Sequence, residues 1–127
     1  MSRYDPDRAP NPEEWLDTDE QERIDAVLRY HRKTKVRIPH EKMHATIHAV
    51  VESQLAVGFP ASVRALERLM KEGLSRHDAI HAIGCAVADL MHGAMSGQIT
   101  SDAPEHLTRA LDKLTKAEWH RQYGGDD

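Results

Sequence analysis

Apolar residues recur three and four positions apart along most of this chain. No segment sustains the period-two alternation of a half-buried strand, so the pattern predicts an all-α protein. The first helix is expected from Asp17 or Thr18 to about Arg32, with Ile24, Val27 and Leu28 on one face and Thr18 with Gln21 as a capping box. A second starts at Pro39, a residue suited to the first turn, and runs to about Ala56, before Gly58-Phe59-Pro60 breaks it. Pro60 opens a third through Val63, Leu66, Leu69 and Met70, closed by Gly73. Ser75 with Asp78 caps a fourth that reaches about Ala94 and stops at Gly97. Ser101 or Asp102, followed by Pro104 and Glu105, starts a fifth through Leu107, Leu111 and Leu114.

The expected architecture is a small helical bundle of about five helices, a single domain over residues 13–123 with a frayed tail at 124–127. Residues 1–12 form an extended, flexible N-terminal arm, because Pro6, Pro10 and Pro12 among charged residues leave little to bury.

Composition narrows the function classes. The 127 residues are 39% hydrophobic but only 5% aromatic, so the core must be aliphatic. No apolar run approaches the roughly 20 residues of a membrane span, and the N-terminus carries no apolar leader core. With one cysteine there is no internal disulfide framework, and the expected location is a reducing cytoplasm. The net charge of −4 disfavours nucleic acid as a partner. The basic stretch Arg29 to Arg37, with Tyr30 as a stacking group, therefore reads as a solvated loop. A chain this short often completes its core by self-association, so a homodimer is expected.

The nine histidines change the picture, because four of them fall in two helical pairs. His40, His44, His48 and Glu52 recur every four residues in the second helix; His77, His81, Cys85 and Asp89 do so in the fourth, 33 positions on from His44, His48, Glu52. Residues four apart stand one turn along and about 40° round, so a His pair can converge on one ion. Around His44, the side chains of Ile47, Val51 and Leu55 fall within about 60°. Around His77, Ala88, Met91 and Met95 fall within about 40°. Imidazoles on apolar faces need a partner: each other, a carboxylate or a metal. The candidate ligands are His44, His48, His77 and His81, with Glu52 and Asp89 as carboxylate ligands or bridges. His40 and His92 are outer candidates, and His31, His106 and His120 read as surface residues near helix ends. Cys85 reads as a small core residue.

The region from His44 to about Met91 resembles a family of small bacterial helical proteins of unknown function. They carry HxxxHxxxExQ, matched here by His44, His48, Glu52 and Gln54, then RHxxxH and an acidic residue, matched by Arg76, His77, His81 and Asp89. Asp89 stands where that pattern has Glu. The resemblance supports a site and implies no reaction.

Nitrogen and carboxylate donors suit transition metals, with iron or manganese favoured and zinc the alternative, at one or two ions per chain. Iron or manganese would support oxygen or peroxide chemistry, making the chain a metal-dependent oxidoreductase. The ligand types resemble those of hemerythrin-like di-iron proteins, although the motif spacing does not match. Zinc would support hydrolysis, with Glu52 as catalytic base. The other classes are a non-catalytic metal-storage or structural metal protein, and a metal-free interaction module. No phosphate loop, dinucleotide fingerprint or Ser–His–Asp pattern names a small-molecule substrate.

Overall fold

A computed structural model describes residues 3–33, 40–97 and 103–123. Among the described residues there are seven helices and no strand: α1 (Pro12–Asp17), α2 (Glu20–Lys33), α3 (Glu41–Ala56), α4 (Pro60–Lys71), α5 (Arg76–Met95), α6 (Ala103–Asp112) and α7 (Lys116–Tyr123). No described helix is long and apolar enough to cross a membrane.

The two additional helices come from caps at the ends of the chain. Asn11 accepts a hydrogen bond from the Glu14 N–H and Pro12 occupies the first turn, which starts α1 ahead of the expected point. Thr18 is the C-cap of α1, its hydroxyl bonded to the Glu14 carbonyl, and the Gln21 side chain bonds Asp25. Near the other end, Thr115 accepts from the Glu118 N–H and starts α7, so the fifth expected helix stops at Asp112 rather than passing through Leu114. Elsewhere the boundary chemistry acts as expected. Gly73, at φ 109°, sits in a reversed turn with Leu74 N–H bonded to the Leu69 carbonyl and Gly73 N–H to that of Met70. Ser75 caps α5 through the Asp78 N–H. The expected starts at Pro39 and at Ser101 or Asp102, the basic residues Lys35 and Arg37 and the tail 124–127 lie outside the described residues.

Helices α3 and α5 form the centre: α2 packs on α3, α4 on α5, and α6 spans α4 and α5. Two apolar clusters result. One joins Ile47 and Val51 of α3 to Ala65, Leu69, Ile80, Ile83, Leu107, Leu111 and Trp119; the other joins Ala45 and Ala49 of α3 to Tyr4, Trp15, Val27 and Leu28. The described part of the N-terminal arm makes a turn closed by the Arg8 N–H on the Asp5 carbonyl, and it is not the non-burying segment that its composition suggested. Tyr4 is 5% exposed and Pro6 is fully buried; the Tyr4 ring packs tilted against Trp15 at 5.7 Å and belongs to the second cluster.

Gly84 sets the spacing of the central pair. A Cβ at this position would lie 3.1 Å from Ile47 Cγ2, so the missing side chain lets α5 approach α3. Gly84→Val should overpack this contact by about 1–3 kcal/mol. A lowered urea midpoint would report it, and an unchanged midpoint would show that the helices yield freely there.

Candidate metal centre

Five imidazoles meet where α2, α3 and α5 come together. His44 and His48 stand one turn apart on α3, His77 and His81 one turn apart on α5, and His31 comes from the last turn of α2. Ring centroids lie 4.7 Å apart for His31–His44, 4.8 Å for His44–His81, 5.5 Å for His48–His81 and 4.3 Å for His77–His81. One nitrogen from each of His31, His44, His48 and His81 falls within a single group whose members are all within 4.8 Å of one another. His31 Nε2 and His44 Nε2 are already 3.2 Å apart. A tetrahedron of imidazole nitrogens around zinc, at about 2.0–2.1 Å from the metal, has edges of about 3.3 Å. The His31–His44 edge thus matches a bound set, and the group as a whole, at up to 4.8 Å, would draw in on binding.

The chemistry of these rings fits an ion. His48 Nδ1, His77 Nε2 and His81 Nε2 are buried with no protein hydrogen-bond partner, an arrangement that costs about 1–3 kcal/mol for each such atom. All four helix-paired histidines have pKa values below the ordinary one, with burial as the main cause and the charge of neighbouring imidazoles adding to it: His44 to about 4, His81 to about 3, and His48 and His77 in the same direction. They are therefore neutral at pH 7 and present lone pairs rather than charge.

The metal-free protein should accordingly lose stability in acid. Because the folded-state values lie below the unfolded value near 6.5, the unfolded chain binds more protons as the pH drops. Stability is fully present above about pH 6.5 and is lost as the pH falls toward 4 and below. For His81, with a folded-state value of about 3, each pH unit below about 5.5 should remove about 1.4 kcal/mol, and His48 should act in the same direction. A melting temperature that holds steady between pH 7.5 and 5.0 would contradict this arrangement of rings.

Around the rings lies a polar chain. His48 Nε2 is 2.8 Å from the Tyr4 hydroxyl, which is 2.5 Å from Glu52 Oε2. Both Glu52 oxygens accept from Arg76, at 2.8 Å each, and Arg76 also donates to the Pro6 carbonyl. Glu52 is 1% and Arg76 8% exposed, so this is a buried ion pair. His31 Nδ1 is 2.8 Å from the Val27 carbonyl, and Asp7 accepts from the His77 backbone N–H. Tyr30 packs edge-on against His31 and His77, which puts this ring in the wall of the cluster.

The expected ligands separate accordingly. His44, His48 and His81 are brought together, and His77 lies beside them. Glu52 is outside the nitrogen group and engaged by Arg76 and Tyr4, which leaves it poorly placed to act as a base or bridge. Asp89 faces a different groove, lined also by His106, Lys113 and Glu118. It stands eight residues past His81, about 12 Å further along the helix axis, which is the physical reason it misses the cluster. Cys85 packs against the main core, where burial raises its thiol above the ordinary value, and it lies outside the group. His40 is the exposed N-cap of α3 in the left-handed region, at φ 54°, and His92 is exposed near the end of α5.

His31 is not a surface residue: it is 5% exposed at the centre of the site. Its burial follows from Val27 and Leu28, since i+4 and i+3 from two core residues fall on the same helix face. Tyr4 carried no comparable signal, for an isolated aromatic in a proline-rich arm has no period. Comparison with protein-family models, curated proteins and solved structures finds no match to this chain.

Proposed function

We propose that this protein binds a single transition-metal ion through His31, His44, His48 and His81, using it to tie α2, α3 and α5 together. The observation that carries the reading is the convergence of four imidazoles, two of which, His48 and His81, hold a buried nitrogen with no protein partner. One chain supplies every donor, so the site needs no second copy to be complete. The donors are all nitrogen, which suits zinc, copper, nickel or iron and is a poor match for manganese. Two ions bridged by carboxylates would require Glu52 to leave Arg76, so the geometry favours one ion. Four imidazoles fill a tetrahedron, and a filled tetrahedron holds metal rather than turning over substrate. Holding or structural cross-linking is thus the function best supported.

A second reading rests on His77. Its ring is 4.3 Å from that of His81 and its Nε2 is buried, so it is a candidate fifth donor. Five nitrogen donors would favour iron over zinc, and with iron the oxygen or peroxide chemistry of a metal-dependent oxidoreductase becomes the reading. The resemblance to the HxxxHxxxExQ proteins belongs to the same proposal, because the matched residues other than Gln54 and Asp89 lie in or behind this site. His44 and His48 are donors, Glu52 and Arg76 pair, and Gln54 accepts from the Ser62 hydroxyl to tie α3 to α4.

Metal analysis of the untagged protein should find about one equivalent of a transition metal per chain; less than about a tenth of an equivalent after reconstitution would sink the proposal. An absorption spectrum then separates coloured iron or copper from silent zinc.

A further inference from the structure

The hydrogen-bond chain running out from His48 has a fixed direction. Glu52 accepts from both terminal nitrogens of Arg76, and a carboxylate paired in this way has only acceptor sites left. The Tyr4 hydroxyl carries one proton, and at 2.5 Å from Glu52 Oε2 that proton is donated to the carboxylate. The phenolic oxygen then has only lone pairs to offer His48 Nε2 at 2.8 Å, so Nε2 must carry the proton. A neutral imidazole has one N–H; the other nitrogen, Nδ1, is left with its lone pair, and it is this Nδ1 that is buried without a protein partner.

From this we infer that Tyr4 is a positioning residue: held by Glu52 and Arg76, it sets the tautomer of His48 so that Nδ1, rather than Nε2, faces the metal. The inference rests on the proposed metal centre and adds which atom binds and what orients it. His31 follows the same logic with the opposite nitrogen. Its Nδ1 lies against the Val27 carbonyl, a group that can only accept, so Nε2 is the metal-facing atom. The site would thus combine one Nδ1 with Nε2 donors. The N-terminal arm is part of it: Tyr4 fixes the ring, Pro6 accepts from Arg76, and Asp7 accepts from the backbone N–H of His77. Groups behind a ligand histidine typically change metal affinity 10–100-fold when removed.

Long-range proton–nitrogen correlation spectra of the full chain with labelled histidine test this, with zinc as the diamagnetic probe. In the wild type, His48 should carry its proton on Nε2 both metal-free and zinc-loaded, with the zinc-induced shift at Nδ1. Tyr4→Phe keeps the ring and deletes the hydroxyl; His48 should then populate both tautomers, and zinc affinity should fall 10–100-fold. Zinc on Nε2 of wild-type His48, or a Tyr4→Phe variant with unchanged tautomer and affinity, would overturn the inference while leaving the metal centre standing. If the wild type takes up no zinc or other metal, the proposed function fails instead, and the metal-free tautomer still decides the role of Tyr4. The wild-type spectra alone settle which nitrogen of His48 carries the proton, even if Tyr4→Phe does not fold.

Discussion

Replacing His48 and His81 together by alanine should abolish metal binding, leaving under about a tenth of an equivalent where the wild type holds about one. These two rings come from the two central helices, and each has a buried nitrogen that the protein does not satisfy. The remaining donors, His31 and His44, would hold an ion with two nitrogens from one side only. The effect should also be visible as lost linkage. An ion present at 100 times its Kd stabilises the folded state by about 2.7 kcal/mol, on the order of 10 °C in melting temperature for a domain of this size. A chelator should therefore lower the melting temperature of the wild type and leave that of the double variant where it was. His92→Ala and His106→Ala are the controls, since both residues lie away from the cluster; full metal occupancy in the double variant would show that other residues bind. His31→Ala on its own should weaken binding, a result that no reading of the two His pairs alone would anticipate.

The second large effect concerns the ion pair behind the site. Glu52→Ala leaves the Arg76 guanidinium 8% exposed with its charge uncompensated, and deleting one partner of a buried pair costs about 3–5 kcal/mol. That is a large part of the 5–15 kcal/mol by which a domain is usually stable, so the variant should unfold at a much lower urea concentration. Replacing both members, Glu52→Met with Arg76→Met, removes the stranded charge and should recover most of the loss. Metal affinity should not recover with it, because Tyr4 would still lack its acceptor. A single variant that loses less than about 1 kcal/mol would mean that Arg76 finds another partner or reaches water. A double variant as unstable as the single one would mean that shape, not charge, is what the pair contributes.

Much of the helical framework could be read from local signals. The Ser75 cap, the Gly73 reversal and Pro60 at a helix start act over four or five residues, and their effect does not depend on what the helix later packs against. The same kind of signal was present for the two unexpected helices, in Asn11-Pro12 and in Thr115 with Glu118. It was outweighed there by a proline-rich composition at one end and by a continuous Leu107, Leu111, Leu114 pattern at the other. The spacing of His44 with His48 and of His77 with His81 likewise predicts that each pair shares a helix face, which is how the structure holds them.

What the chain's own order determined, then, is the set of helices and the stripe on which each histidine sits, because both depend on a 3.6-residue period and on caps. What only the tertiary structure decided is which groups meet. Glu52 follows His48 by four residues and Asp89 follows His81 by eight; Arg76 takes the first and the axial rise of α5 carries the second into another groove. His31 joins because α2 lays its last turn against α3, and Tyr4 joins because the arm folds back across 44 residues to reach His48. Burial of a nitrogen, and the partner that fixes its proton, are properties of several segments at once, so no local spacing contains them.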